Sequence, residues 1–222
     1  MAAKSDVPQA PLTWFAIWRL VLLNPTIETF TQIIERSQTR VRSSIVWMMI
    51  GTILIWFTGL QQSLVFSFAA DQFGLTIAFR VMLVGAIVAP VFGVLGLWGL
   101  AATSHMLAQR LGGMGTIQQL AYCWAALTPP FAFLSGVVAS LSNLLLSNAA
   151  KQSSRAGLIG GLLVIAVYGS VILYQLYAAL VAYSAVEKWG MGTSIGVFAL
   201  QLILVGLGIF VLTFLMHVLG RS

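Results

Sequence analysis

Apolar positions run along this chain in long blocks separated by short polar joints. Five intervals contain no Asp, Glu, Lys or Arg: 43–70, 81–109, 111–150, 156–186 and 189–220. About 20 apolar residues cross the hydrocarbon core of a bilayer, so each interval holds one helix. The forty-residue interval 111–150 holds two only if one re-enters, and five spans are therefore expected. Ahead of them the pattern changes. Leu12–Leu23 places Trp14, Phe15, Trp18 and Leu22 around a single Arg19, a Trp- and Leu-rich segment too short to span that lies in the interface plane. Asn24-Pro25 reads as an N-cap followed by proline at the first helical position, with Glu28 in the first turn. Ile27, Phe30, Ile33 and Ile34 then recur at helical spacing, opposite Glu28, Gln32, Glu35 and Arg36. This predicts an amphipathic surface helix over 25–42, ending in the basic cluster Arg36, Arg40 and Arg42. The expected fold is all-α: a polytopic bundle of five transmembrane helices behind N-terminal interfacial amphipathic helices. Residues 1–42 form the cytoplasmic tail and surface helices, and 43–222 the bundle.

Helix breakers punctuate these blocks. Pro90 sits in the middle of the second expected span, about 78–105, which also carries Gly85, Ala89 and Gly93 at four-residue spacing, a small-residue face for close helix contact. Pro129 and Pro130 fall within the third. They remove the donors for the carbonyls of Ala125 and Ala126, so a bent or broken span inside a bundle is expected. Gly112, Gly113 and Gly115 make a turn before Thr116, the predicted N-cap of the next helix. Gly113-Met114-Gly115-Thr116 recurs as Gly190-Met191-Gly192-Thr193, which makes Gly190 and Gly192 turn candidates too. Duplication and shared turn chemistry explain that echo equally well.

Composition strengthens the membrane reading. Hydrophobic residues are 59% and charged residues 7% of the chain, with a mean hydropathy of +0.98, against about a quarter charged in soluble domains. The net charge of +6 is not a nucleic-acid footprint, because the cations mostly flank apolar runs, where they set orientation. With the N-terminus inside, the inner side holds Lys4, Arg19, Arg36, Arg40, Arg42, Arg110 and Lys188, and the outer side Arg80, Lys151, Arg155 and Arg221. Seven against four predicts a multi-pass membrane protein with a cytoplasmic N-terminus. No cleaved signal peptide is expected, since the Leu12–Leu23 patch is short, carries Arg19 and is followed by Pro25.

Candidate chemistry is sparse. Cys123 is the single cysteine, which excludes an intrachain disulfide and a Cys-based metal site. His105 and His217 fall on opposite faces of the expected topology and cannot share one metal or haem. Every carboxylate (Asp6, Glu28, Glu35, Asp71, Glu187) lies at a span end or outside the spans, whereas ion-coupled carriers need an ionisable group within the bilayer. No phosphate loop, paired carboxylates at helix spacing or Ser-His-Asp constellation is present. No catalytic, cofactor or metal residue is assigned, and the chain is not expected to be an enzyme. Ser140, Ser142 and Asn143 are expected to satisfy backbone.

Asn24-Pro25 and its amphipathic helix stand ahead of five expected spans, His105 leads to Leu111-Gly112-Gly113-Met114-Gly115-Thr116 with Tyr122 beyond, Pro129-Pro130 falls mid-span, and Leu173-Tyr174 runs through to Trp189-Gly190 before the last span. Together these features resemble the YIP family of Ypt/Rab-interacting membrane proteins. Eukaryotic members carry a long cytoplasmic N-terminus with an Asp-Leu-Tyr-Gly-Pro stretch, where this chain has Leu22-Leu23-Asn24-Pro25. The resemblance thus implies a prokaryotic-type member in a prokaryotic cytoplasmic membrane, with a fold and topology but no settled activity. The function expected is a non-enzymatic membrane adaptor, organiser or accessory subunit. Trp14, Trp18, Arg36, Arg40 and Arg42 would meet the membrane surface or a partner, and the partners would be the lipid bilayer and other membrane proteins or further copies of the chain. The alternative is a small oligomeric carrier or channel using backbone and hydroxyl groups at the proline positions, with a wet cavity near Pro90 and Pro129. A third reading is a cofactor-holding subunit of an electron-transfer complex, with Tyr174 and Tyr177 as its candidates.

Overall fold

A computed structural model of the protein describes residues 12–36, 41–60, 75–152 and 154–203. Every element among them is an α-helix: α1 (Trp14–Leu23), α2 (Ile27–Arg36), α3 (Val41–Leu60), α4 (Leu75–Arg110), α5 (Ile117–Gln152), α6 (Ser154–Glu187) and α7, described over Met191–Ile203. Three segments are long and apolar enough to cross a membrane: Leu83–Arg110, Ile117–Ser142 and Ile159–Glu187. They belong to the second, third and fourth expected spans. The apolar stretches Val41–Trp56 in α3 and Met191–Ile203 in α7 are shorter. The first expected span, about 44–64, and the fifth, ending at 220, run on into residues 61–74 and 204–222, which lie outside the described residues.

α5 is the axle of the molecule. The apolar window of α5 is 61% buried, against 6% in α4 and none in α6. A 36-residue helix runs about 54 Å, well beyond the ~30 Å of bilayer hydrocarbon, and its two halves have different surroundings. From Leu120 to Ala132 nearly every side chain is buried, in a core shared with Ile17 and Val21 of α1, Phe30 and Ile33 of α2, Trp47 of α3, Ala101 and Ala108 of α4, and Ala178 to Val186 of α6. Beyond Ala132 exposed side chains return along α5, at Phe133, Val137 and Leu141, as at Ile87, Phe92 and Leu95 of α4 and Leu162, Ile165 and Leu173 of α6. The molecule thus has a protein-packed end and an apolar girdle, the second too large a bare surface for a water-soluble monomer.

Capping chemistry sets the helix ends. The Thr13 hydroxyl accepts the Ala16 N–H at 3.3 Å to open α1. Asn24, expected to cap α2, instead closes α1, its N–H bonding the Leu20 carbonyl at 2.9 Å. α2 starts behind Thr26, whose hydroxyl accepts the Thr29 N–H at 3.2 Å; with Thr26 available, the cap moves two residues along. Thr116 opens α5 as expected and forms a reciprocal box with Gln119, the hydroxyl accepting the Gln119 N–H at 3.2 Å and the amide oxygen accepting the Thr116 N–H at 3.0 Å.

The prolines lie inside unbroken helices, Pro90 in α4 and Pro129-Pro130 in α5. All three are buried, so the weakened backbone is shielded by protein. Beside the proline pair the Thr128 hydroxyl donates to the Trp124 carbonyl at 3.2 Å. α3 closes on this point through Gly51, where a Cβ would strike Thr128. The small-residue face of α4 packs as its spacing predicts, with Trp56 against Gly85 and Thr52 against Gly93. Ser140 and Ser142 bond the carbonyls of Gly136 and Val138 at 2.9 and 2.7 Å, the backbone role expected of them.

Candidate functional site

Two polar or aromatic constellations stand out from the aliphatic packing, and both sit at the packed end. The first arises from two helix termini. α4 closes in a left-handed cap: Gly112 has φ +82°, with its N–H on the Gln109 carbonyl at 3.2 Å and the Gly113 N–H on the Ala108 carbonyl at 2.9 Å. α6 closes the same way with Lys188 at φ 58° and the Trp189 N–H on the Ser184 carbonyl at 3.1 Å. Glu187, the last residue of α6, is fully buried between these caps. His105 Nδ1–H donates to its Oε1 at 3.1 Å, and the Gly115 N–H donates to Oε2 at 3.1 Å. The Met114 N–H reaches the Glu187 backbone carbonyl at 3.4 Å.

The turn is pressed against α6 so closely that only glycine fits. A Cβ at Gly113 would lie 2.5 Å from Glu187 Oε2, and one at Gly115 2.5 Å from Val186 Cγ1. Gly190 and Gly192 have open space around the corresponding positions, and α7 already begins at Met191. The two Gly-Met-Gly-Thr stretches therefore differ in geometry: Thr116 caps a helix, while Thr193 lies inside one.

A second set of hydrogen bonds lies beside the pair. The Tyr183 hydroxyl donates to the Ser104 carbonyl at 2.9 Å. The Ser104 hydroxyl meets Gln201 Oε1 at 2.5 Å, and Gln201 Nε2 donates to Thr103 Oγ1 at 3.2 Å. α4, α6 and α7 are thereby joined by hydrogen bonds of the Tyr183, Ser104 and Gln201 side chains. Each Glu187 oxygen already accepts a hydrogen bond, so the site is a satisfied latch between helices. Among the described residues no three His, Cys, Asp or Glu side chains gather as a metal site.

The second constellation surrounds Trp47, a fully buried residue of α3. Trp14 and Trp18 of α1 stand edge-on to it, with ring centroids at 5.8 and 6.3 Å, and Tyr122 of α5 lies at 4.8 Å. Trp14 remains 45% exposed; Trp18 is half-buried, and its indole N–H, like that of Trp47, has no partner among the described residues. Alongside runs an apolar groove of about 360 Å³ between α1, α3 and α5, bordered by Trp18, Arg19, Leu54, Pro129, Pro130 and Phe133, among others.

The remaining candidates are scattered. Arg36 ends α2 half-buried, Arg42 lies exposed in the first turn of α3, and Arg40 is outside the described residues. The structure does not bring the three arginines together into one described site. Tyr174 is committed to packing: its hydroxyl donates to the Leu22 carbonyl at 2.7 Å and its ring lies between Phe131 and Tyr177.

The sequence sets His105 on the opposite face from His217 and Glu187 at a span end, and does not by itself join the two. The available signal was their shared side: both spans end on the inner face of the expected topology. No known family model matches the chain, and neither a curated protein nor a solved structure is significantly similar to it.

Proposed function

We propose that this chain is a non-enzymatic adaptor, organiser or accessory subunit of a membrane assembly, embedded through five transmembrane helices with its N-terminus cytoplasmic. The family it resembles in its motifs, the prokaryotic-type YIP proteins, is proposed with it. The observation that carries the reading is the fixed display of α2. Phe30 and Ile33 are buried in the core while Glu28, Gln32 and Glu35 face outward, and the preceding joint is pinned by the Tyr174 bond to Leu22. A polar edge held rigid before binding loses little ordering entropy when a partner docks, which suits an adaptor. The carrier alternative needs a wet cavity at the prolines. Pro90 is fully buried, and the groove beside Pro129 and Pro130 has Arg19 as its one charged lining residue, so these surroundings favour the adaptor.

The test is charge reversal on the displayed edge of the full chain, Glu28→Lys with Glu35→Lys. Helical content and monodispersity should be retained, while membrane proteins that co-purify in gentle detergent are lost. An unchanged partner set, together with solute flux through the purified chain in liposomes, would transfer the assignment to the carrier.

A further inference from the structure

The groove between α1, α3 and α5 lies where the protein packing ends. Along α5 nearly every side chain from Leu120 to Ala132 is buried, and Phe133 is 66% exposed. Pro129, Pro130 and Phe133, which straddle that boundary, form one wall; Ile50 and Leu54 of α3 form another; Phe15, Trp18, Leu22 and Leu23 of α1 complete it. The prolines contribute rings and no N–H, so this part of the wall offers no backbone donor. At about 360 Å³ the groove falls within the range of small-molecule sites, about 300–1,000 Å³.

Arg19 is the single charged residue in the lining. It is exposed, and no carboxylate of the described residues pairs with it. A guanidinium unpaired among the described residues, beside an apolar trough at the edge of an apolar girdle, matches a molecule with an anionic head and a long apolar tail. Arginine presents planar donors suited to phosphate oxygens. We propose that the groove holds one acyl chain of an anionic glycerophospholipid from the surrounding bilayer, with the lipid phosphate on Arg19. α1 then serves as one wall of a lipid site as well as an interfacial anchor. This does not depend on the adaptor reading, because the site requires no protein partner.

The test uses the full chain purified in mild detergent, incubated with phosphatidylglycerol or phosphatidylcholine and read by native mass spectrometry. One phosphatidylglycerol per chain should be retained, about fivefold above phosphatidylcholine, the preference expected of a single Arg near a headgroup. Arg19→Gln should bring the two lipids level, and Arg19→Lys should keep most of the preference. Leu54→Trp, or Ile50→Phe if the larger ring lowers the melting temperature, should fill the groove and release both lipids. Equal retention of the two lipids by the native chain overturns the proposal, as does a preference that survives Arg19→Gln. It also falls if a folded groove-filling variant keeps its lipid, or if the native chain is a dimer that excludes lipid from the groove.

Discussion

His105 and Glu187, 82 residues apart, are joined by a 3.1 Å contact from Nδ1 to Oε1 that fastens the C-terminal ends of α4 and α6 side by side. Both groups are buried, with side-chain exposures of 11% and 0%. Removing one partner therefore strands the other. Glu187→Ala should cost about 3 kcal/mol, with Glu187→Gln less damaging because its amide oxygen can still accept from Gly115. Thermal unfolding of the single and double variants with His105→Ala should yield a coupling of about 1–2 kcal/mol. Strictly additive losses would show that the two residues act independently.

The two Gly-Met-Gly-Thr stretches should answer substitution differently. An added methyl at Gly113 or Gly115 meets Glu187 or Val186, and overpacking of this kind costs about 1–3 kcal/mol. Gly190→Ala and Gly192→Ala have open space, and Gly192 lies in the first turn of α7. Alanine should be tolerated at both positions or be mildly stabilising. Equal melting temperatures across all four variants would mean that the latch does not depend on the closeness of its turn.

Lys188 is the one non-glycine residue with positive φ among the described residues, at 58°. Left-handed backbone costs an ordinary L-residue roughly 1 kcal/mol. Lys188→Gly should therefore stabilise the chain by about that amount, less glycine's added unfolded-state entropy. A lower melting temperature would indicate that the lysine side chain makes compensating contacts.

The N-terminal helices belong to the fold as well as to the surface. Ile17, Val21, Phe30 and Ile33 are each at most 1% exposed and share a core with Trp47 and Leu120. Four buried apolar side chains are worth on the order of 6–12 kcal/mol. Deleting residues 1–42 should therefore lower the melting temperature sharply, so loss of a partner on truncation cannot be read as loss of a binding epitope. An undiminished melting temperature in the truncated chain would show the bundle to be independent of α1 and α2.

How much was legible follows the range of each interaction. Charge-free runs reveal helices because a bilayer demands them locally, and the described segments Leu83–Arg110, Ile117–Ser142 and Ile159–Glu187 fall on expected blocks. The Thr116 cap was equally plain, since its partner Gln119 is three residues away. Asn24 misled because Thr26, an equally competent cap, stood two residues on. The latch was hidden because its halves are far apart and each alone resembles a polar residue at a span end. The Gly-Met-Gly-Thr echo was legible as letters but not as geometry. In the first copy Gly112 takes the left-handed position and Gly113 follows it; in the second Lys188 takes it, and Gly190 falls a residue later.

The last prediction concerns the odd number of spans. The contact between His105 and Glu187 puts the ends of α4 and α6 on one side of the molecule. Trp47, which meets Tyr122 near the start of α5, brings the start of α3 to that same end. Arg42, Arg110 and Lys188 therefore lie toward that end, which the proposed topology assigns to the cytoplasm by the positive-inside rule. If α3 and α7 both complete their crossings through residues 61–74 and 204–222, the chain emerges on the opposite side. Single cysteines at positions 4 and 221, in a Cys123→Ala background, should then be labelled by a membrane-impermeant reagent from opposite sides. Cys123 is buried, so removing it takes away a competing thiol with a small loss of packing. Labelling of both positions from one side would make the number of spans even and remove the five-span topology.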